Sequence, residues 1–233
     1  MSVLTMIQDS CSRMGIQAPD AVFSSVNQEI VQMRTLLNQE GKELNRRVDW
    51  QSLMMETSFT SVAQETQTSA VPADFDHYIA DTMFDRTENR KIAGPLNSYE
   101  WQREKSGPVY TSVYHAFRIR GNNILITPNP TAGNSIYYEY ISNKWAEDSS
   151  GTDKVRFTAD DDVSRLDEEI MTLGVIWRFQ KAKGLDYSES FRSYELMIQQ
   201  VAARDESAPV LSLSRGLVSR RYYDANIKDG NWP

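Results

Sequence analysis

At 233 residues, with 40% hydrophobic and 24% charged side chains, the chain can bury a sizeable core and is too apolar for wholesale disorder. A net charge of −7 argues against tight nonspecific nucleic-acid binding, which concentrates Lys and Arg against phosphates. One cysteine, Cys11, excludes an internal disulfide and a thiolate metal cluster, and no apolar run approaches the roughly 20 residues of a membrane span.

Asp9 and Arg13 interrupt the N-terminal segment, so no secretory signal is expected and the chain reads as cytosolic and soluble. Leu4, Ile7, Cys11 and Met14 recur at helical spacing, predicting a helix over 3–14 capped by Ser2 and stopped by Gly15. A second helix follows from the stripe Val26, Ile30, Met33, Leu37, Leu44 and Val48, with Ser25 and Gln28 as its capping box. Gly41 interrupts it, either as a tolerated glycine or, the favoured reading, where another backbone comes close.

After Trp50 the period shortens to two. Leu53, Met55, Thr57 and Phe59 predict a strand, Gln64 to Ser69 a polar loop, and Val71-Pro72-Ala73-Asp74 a turn. His77 to Phe84 reads as a further strand. Asn97 with Glu100 caps a short helix carrying Trp101 and stopped by Gly107-Pro108. A β-meander is expected next: Phe117 to Arg120, a turn at Gly121-Asn122-Asn123, Ile124 to Thr127, a turn from Pro128 to Gly133, then Ser135 to Ser142.

Lys144 to Asp162 is polar and acidic and reads as a long exposed loop with a little extended structure. An αα-hairpin should begin at Ser164, with Asp167, Glu168 and Glu169 at the positive end of the helix dipole. Leu166, Ile170, Leu173, Trp177 and Gln180 trace its face, widened by Ile176 and Phe179. Lys181, Lys183 and Gly184 stop that helix. Asp186 and Glu189 cap the next, whose Phe191, Tyr194, Ile198 and Val201 face back. Beyond Asp205 no helical stripe remains, yet aromatic residues persist, which predicts a tail ordered on docking to a partner.

Catalytic chemistry is hard to find. Cys11 lies on an apolar helical stripe, so a core thiol is favoured over a nucleophile paired with His77 or His115. The two histidines lack ligand spacing, and Asp160-Asp161-Asp162 lacks the Gly and Glu of a calcium loop, so it reads as a solvated acidic run. Phosphate-cradling glycine loops are missing from the sequence. Arg118 and Arg120 beside tyrosines suggest RNA stacking only weakly; an outward sheet face is the better reading. No catalytic, cofactor or metal residues are expected.

Several short motifs remain: Glu40-Gly41-Lys42-Glu43-Leu44 ahead of Asp49-Trp50-Gln51, Thr57 to Thr60, and Val71-Pro72-Ala73-Asp74-Phe75. Asp85-Arg86-Thr87, Gly94-Pro95-Leu96, Glu100-Trp101, Ile126-Thr127-Pro128 with Pro130, Tyr138-Glu139-Tyr140 and Asp167-Glu168 complete the set. In order and spacing this series resembles the head-to-tail adaptor proteins of tailed bacteriophages, including the tail tubular protein A type of short-tailed phages. The likeness covers most of residues 1 to 205.

The resemblance implies an α+β fold: an antiparallel helical bundle, an inserted antiparallel β-rich domain and an extended C-terminal tail. The expected divisions are 1–49 for the N-terminal helices, 50–162 for the β-rich domain, 163–205 for the αα-hairpin and 206–233 for the tail. It implies a twelve-fold homo-oligomeric ring in the virion, made in the host cytoplasm. The ring would join the portal above to a tail nozzle or tail tube protein below, with genomic DNA passing through unspecifically. The tail would dock on the portal through Leu211, Leu213, Arg215, Arg220, Tyr222, Tyr223 and Trp232, since Arg and aromatic anchors dominate interfaces. Competing readings are another neck or tail structural protein and a small carboxylate-dependent hydrolase.

Overall fold

The computed structural model describes residues 1–106 and 114–205. They form two compact units, one joining Met1–Met54 to the segment from Ser142 onward, the other spanning Met55–Ile141. Five helices and antiparallel sheets give the α+β class expected from the sequence.

In the first unit, α1 (Val3–Met14) starts at a Ser2 cap, ends at Gly15 and buries Val3, Met6, Ile7 and Cys11. Helix α2 (Gln28–Arg47) buries Ile30, Met33, Leu37 and Leu44. Its cap is Asn27, whose Oδ1 accepts from the Glu29 amide at 2.9 Å, rather than Ser25. Val26 therefore precedes the helix and is 98% exposed, so the predicted stripe began too early.

Helices α4 (Glu168–Ala182) and α5 (Ser188–Asp205) form the hairpin. Helix α4 packs against α1, α2 and α5, which buries it on nearly every side from Ile170 to Phe179. Its N-cap is Asp167, accepting from the Ile170 amide at 3.0 Å; Ser164, predicted as the cap, belongs instead to a strand. On α5, Tyr194 and Ile198 are buried, and Phe191 faces back onto Trp177 of α4, ring centroids 5.1 Å apart, while keeping part of its surface exposed.

The little extended structure expected in the 144–162 segment is a small sheet of β9 (Ala146–Glu147), β10 (Asp153–Lys154) and β11 (Val163–Ser164), in the order β10-β9-β11, but the segment is not an exposed loop. Two aromatics overrode its polar composition: Trp145 and Phe157 are buried edge to face, centroids 4.8 Å apart. The acidic run is likewise structural. Asp160 Oδ1 accepts from the Val22 and Phe23 amides at 3.1 and 2.8 Å. Asp162 is buried, accepting from Lys154 Nζ at 2.8 Å and the Thr158 and Ala159 amides at 2.6 and 2.9 Å. Of the three aspartates, only Asp161 is exposed.

The second unit holds β1 (Met54–Thr60), β2 (Thr66–Gln67), β3 (Phe75–Tyr78), β4 (Phe84–Asp85), β5 (Arg90–Lys91), β6 (Ala116–Arg120), β7 (Asn123–Thr127), β8 (Ser135–Ser142) and helix α3 (Ser98–Ser106). The Asn97 and Glu100 capping box forms as predicted, each side chain accepting from the other's amide. The Gly107-Pro108 stop lies outside the described residues.

Strands β6 and β7 pair as a hairpin, but β8 does not continue a meander. It pairs with β1, β3 and β4, giving the order β1-β8-β4-β5, while β2, from the supposed 64–69 loop, joins β7. The predicted strand from His77 to Phe84 is broken in two, the chain turning where Asp81 takes a φ of 67°. Alternation on β8 holds: Ile136, Tyr138 and Tyr140 enter a core with Phe59, Met83, Ile92, Phe117, Ile124 and Ile126.

Candidate functional site

The motif Glu40-Gly41-Lys42-Glu43-Leu44 sits on α2 where it meets α4. Helical spacing turns Glu40, Gly41 and Leu44 inward and leaves Lys42 and Glu43 outward. Glu40 is fully buried. Its Oε2 accepts from Arg178 Nε at 2.6 Å and its Oε1 accepts from the Tyr194 hydroxyl at 2.5 Å, so one carboxylate ties α2 to α4 and α5. Arg178 Nη2 lies 2.9 Å from Glu43 Oε2, and its guanidinium rests over the Trp177 ring, 4.5 Å from the centroid.

Two glycines make this approach possible. A Cβ on Gly174 would overlap the Glu40 carboxyl, and one on Gly41 would overlap the Trp145 ring. The close approach predicted at Gly41 is real, but its partner is an indole rather than a backbone. Leu44 closes the motif: its carbonyl accepts from Trp50 Nε1 at 2.8 Å, seating the ring of Asp49-Trp50-Gln51.

Burial pushes the Glu40 carboxyl above the usual carboxylate range, with Tyr194 and Arg178 pulling against it. The Tyr194 hydroxyl is also raised, first by burial and then by the Glu40 charge. A buried acid could serve proton transfer. Here both carboxylate oxygens are occupied by partners from the neighbouring helices, which is the arrangement of a structural lock.

The remaining motifs are consumed by the second unit in the same way. Asp85 is buried, accepting from the Thr87 and Glu88 amides and, at 2.7 Å, from Asn134 Nδ2. Arg86 stacks 3.5 Å from the Tyr137 centroid and pairs with Glu56, while Thr87 Oγ1 accepts from the Ser135 amide. Asp74 accepts from the Tyr140 hydroxyl at 3.1 Å, and Phe75 stacks on that ring. The Leu96 amide, after the cis Gly94–Pro95 bond, donates to Phe117 O.

The residues weighed for catalysis are accounted for separately. Cys11 is buried with Sγ 3.6 Å from Met33 Sδ, and burial raises its thiol, as a core residue requires. His77 contacts Asp76 at 2.9 Å. Arg118 Nη2 donates to Ser98 Oγ. Among the described residues, no group of three or more His, Cys, Asp or Glu is placed to hold a metal ion. No described helix is long and apolar enough to cross a membrane.

Residues 1–216 match the family model described as SU10 adaptor protein. The chain belongs to this family. Comparison with curated proteins gave no match. Membership in the SU10 adaptor family makes this a structural protein of a bacteriophage particle, and the buried motifs are then its scaffold rather than its chemistry.

The seven docking residues predicted from the tail, Leu211 to Trp232, lie outside the described residues. An adaptor works through its surface, and one described stretch is conspicuously apolar there. Leu185 and Tyr187 are exposed in the turn of the α4–α5 hairpin, and Phe191 and Leu196 are exposed on different faces of α5. Tyr187 and Phe191 continue an aromatic cluster with Trp177 and Tyr194. Phe191 faces back toward α4 as expected, but it sits at the rim of the hairpin beside the polar Ser188, Glu189 and Arg192, so part of its ring meets solvent.

Proposed function

We propose that this chain is a head-to-tail adaptor of the tail tubular protein A kind, one wedge of a twelve-fold ring between the portal and the tail. The observation that carries the reading is the adaptor-family match along residues 1–216. It is supported by described residues whose distinguishing motifs are spent on internal packing, leaving the surface to act.

Each copy buries lateral surface against two neighbours in a head-to-tail contact that closes on itself, and the apolar hairpin edge is the favoured patch. The ring continues the DNA channel, and the acidic balance of the chain lets DNA pass without adhering. Below the ring lies a nozzle or tail-tube protein.

The segment from residue 207 docks on the portal, anchored by Leu211, Leu213, Arg215, Arg220, Tyr222, Tyr223 and Trp232. Its ordering costs conformational entropy, offset by apolar burial and Arg contacts, so copies remain monomeric until portal supplies the groove. The test removes residues 207–233 and measures binding to purified portal. A folded monomer that no longer binds supports the docking role; a truncated chain that still saturates portal removes it.

A further inference from the structure

In the first unit, the segment between α1 and α2, the outer side of α2 and the segment between β10 and β11 enclose an open groove of about 520 Å³. Its walls carry two phenylalanines, Phe23 and Phe157, and two arginines, Arg34 and Arg156, with Asn38 and Thr158 between them. Neither arginine has a carboxylate partner among the described residues. That is notable in a chain with 32 acidic and 25 basic side chains.

The groove is built before anything enters it. Asn38 spans it, its Oδ1 accepting from the Phe157 amide at 2.8 Å and its Nδ2 donating to Arg34 O at 3.3 Å. Asp160 fixes the opposite wall through the Val22 and Phe23 amides. Arg34 is held too: Nη1 donates to Phe23 O at 3.2 Å, and the guanidinium lies 5.0 Å from the Phe23 centroid. Fixing the guanidinium plane in advance reduces the entropy lost when its remaining N–H groups take a planar anion.

We propose that this groove is a binding site for an acidic peptide segment of a partner protein, taking a carboxylate between Arg34 and Arg156 and an apolar side chain against Phe23. Guanidinium groups pair with carboxylates through two parallel hydrogen bonds, and the half-buried Phe23 ring beside them limits water around that pair. A DNA phosphate offers the same charge, but the net charge of −7 repels a polyanion far more than a short peptide, and Phe23 gives a phosphodiester nothing to pack on. The proposal stands apart from the ring and portal reading, because it concerns the isolated chain.

The test follows the arginine side-chain N–H resonances of the full chain by NMR during titration with capped Glu-Phe-Asp peptide. The parallel titrants are capped Gln-Phe-Asn, inorganic phosphate and a short DNA duplex. Saturable shifts at Arg34 and Arg156 with the acidic peptide are expected, weakened roughly tenfold in Arg156→Ser and by added salt. Arg34→Ser should act in the same direction. Arg156 is exposed, so its replacement leaves folding intact should Arg34→Ser disturb α2. Equal binding of the uncharged peptide, arginine shifts with the duplex but not the peptide, or no saturable response by about 10 mM would each overturn the proposal.

Discussion

The Tyr194 hydroxyl donates to Glu40 Oε1 at 2.5 Å across 154 positions of sequence, and both side chains are fully buried. With Arg178 on the other carboxylate oxygen, this contact holds α2, α4 and α5 in a single register. Sliding either partner helix by one residue would leave a charge without its partner in the interior, so the network selects one packing among those that apolar contacts alone would allow.

Removing one member should therefore cost more than removing two. Glu40→Leu leaves the buried Arg178 cation with only the half-exposed Glu43 as counter-charge and is expected to destabilise the chain by ~3 kcal/mol in chemical denaturation. Adding Arg178→Met should return most of that loss. A double variant as unstable as the sum of the two singles would show that the side chains contribute independently.

The same carboxyl carries a pH signature. Burial raises the folded value of Glu40 above its ordinary 4.5, so its contribution is fully present below the unfolded value and lost as pH rises through the folded one. Glu40→Gln cannot titrate. Relative to wild type, Glu40→Gln should gain stability as pH rises above about 4.5 and then level off. Thermal melts of both proteins across that range provide the check; a constant gap, or one that widens against the variant, would contradict the assignment.

Asp162 should behave in the opposite sense. Burial opposes its ionisation, but Lys154 and the Thr158 and Ala159 amides outweigh that and hold it below the ordinary 3.8. Its contribution is present above the unfolded value and lost as pH falls through the lower folded one. Asp162→Asn is expected to cost ~1–3 kcal/mol at neutral pH and to shrink its deficit in acid, read from denaturant midpoints at successive pH values.

Gly41→Ala tests the close approach of Trp145. A methyl group there meets the indole, and overpacking of this kind costs ~1–3 kcal/mol. Trp145→Phe in the same chain should recover part of the loss by withdrawing the larger ring. Recovery by an unrelated core truncation of equal size, and not by this one, would place the strain elsewhere.

The helices of the first unit were legible because periodicity and caps are local: Ser2, Gly15 and the stripe of α1 stand within one segment. Gly41 announced that something came close, but a glycine does not say what, and Trp145 lies 104 positions away within a segment of polar composition. Averaging over that segment hid two buried aromatics and a buried aspartate. The pairing of β8 with β1, β3 and β4 was hidden for a related reason, since alternation shows which side chains enter the core and not which strand lies alongside. Gly174, a second glycine inside a helix, marks where α4 meets the buried Glu40 carboxylate of α2, as Gly41 marks where α2 meets Trp145.

The most direct test of the ring reading is native mass spectrometry of purified portal saturated with this chain, alongside the chain alone at the same concentration. Twelve copies per portal and a monomer in its absence are the result the account predicts. A chain that closes into stable rings without portal, or one that leaves portal unoccupied at saturation, would contradict it.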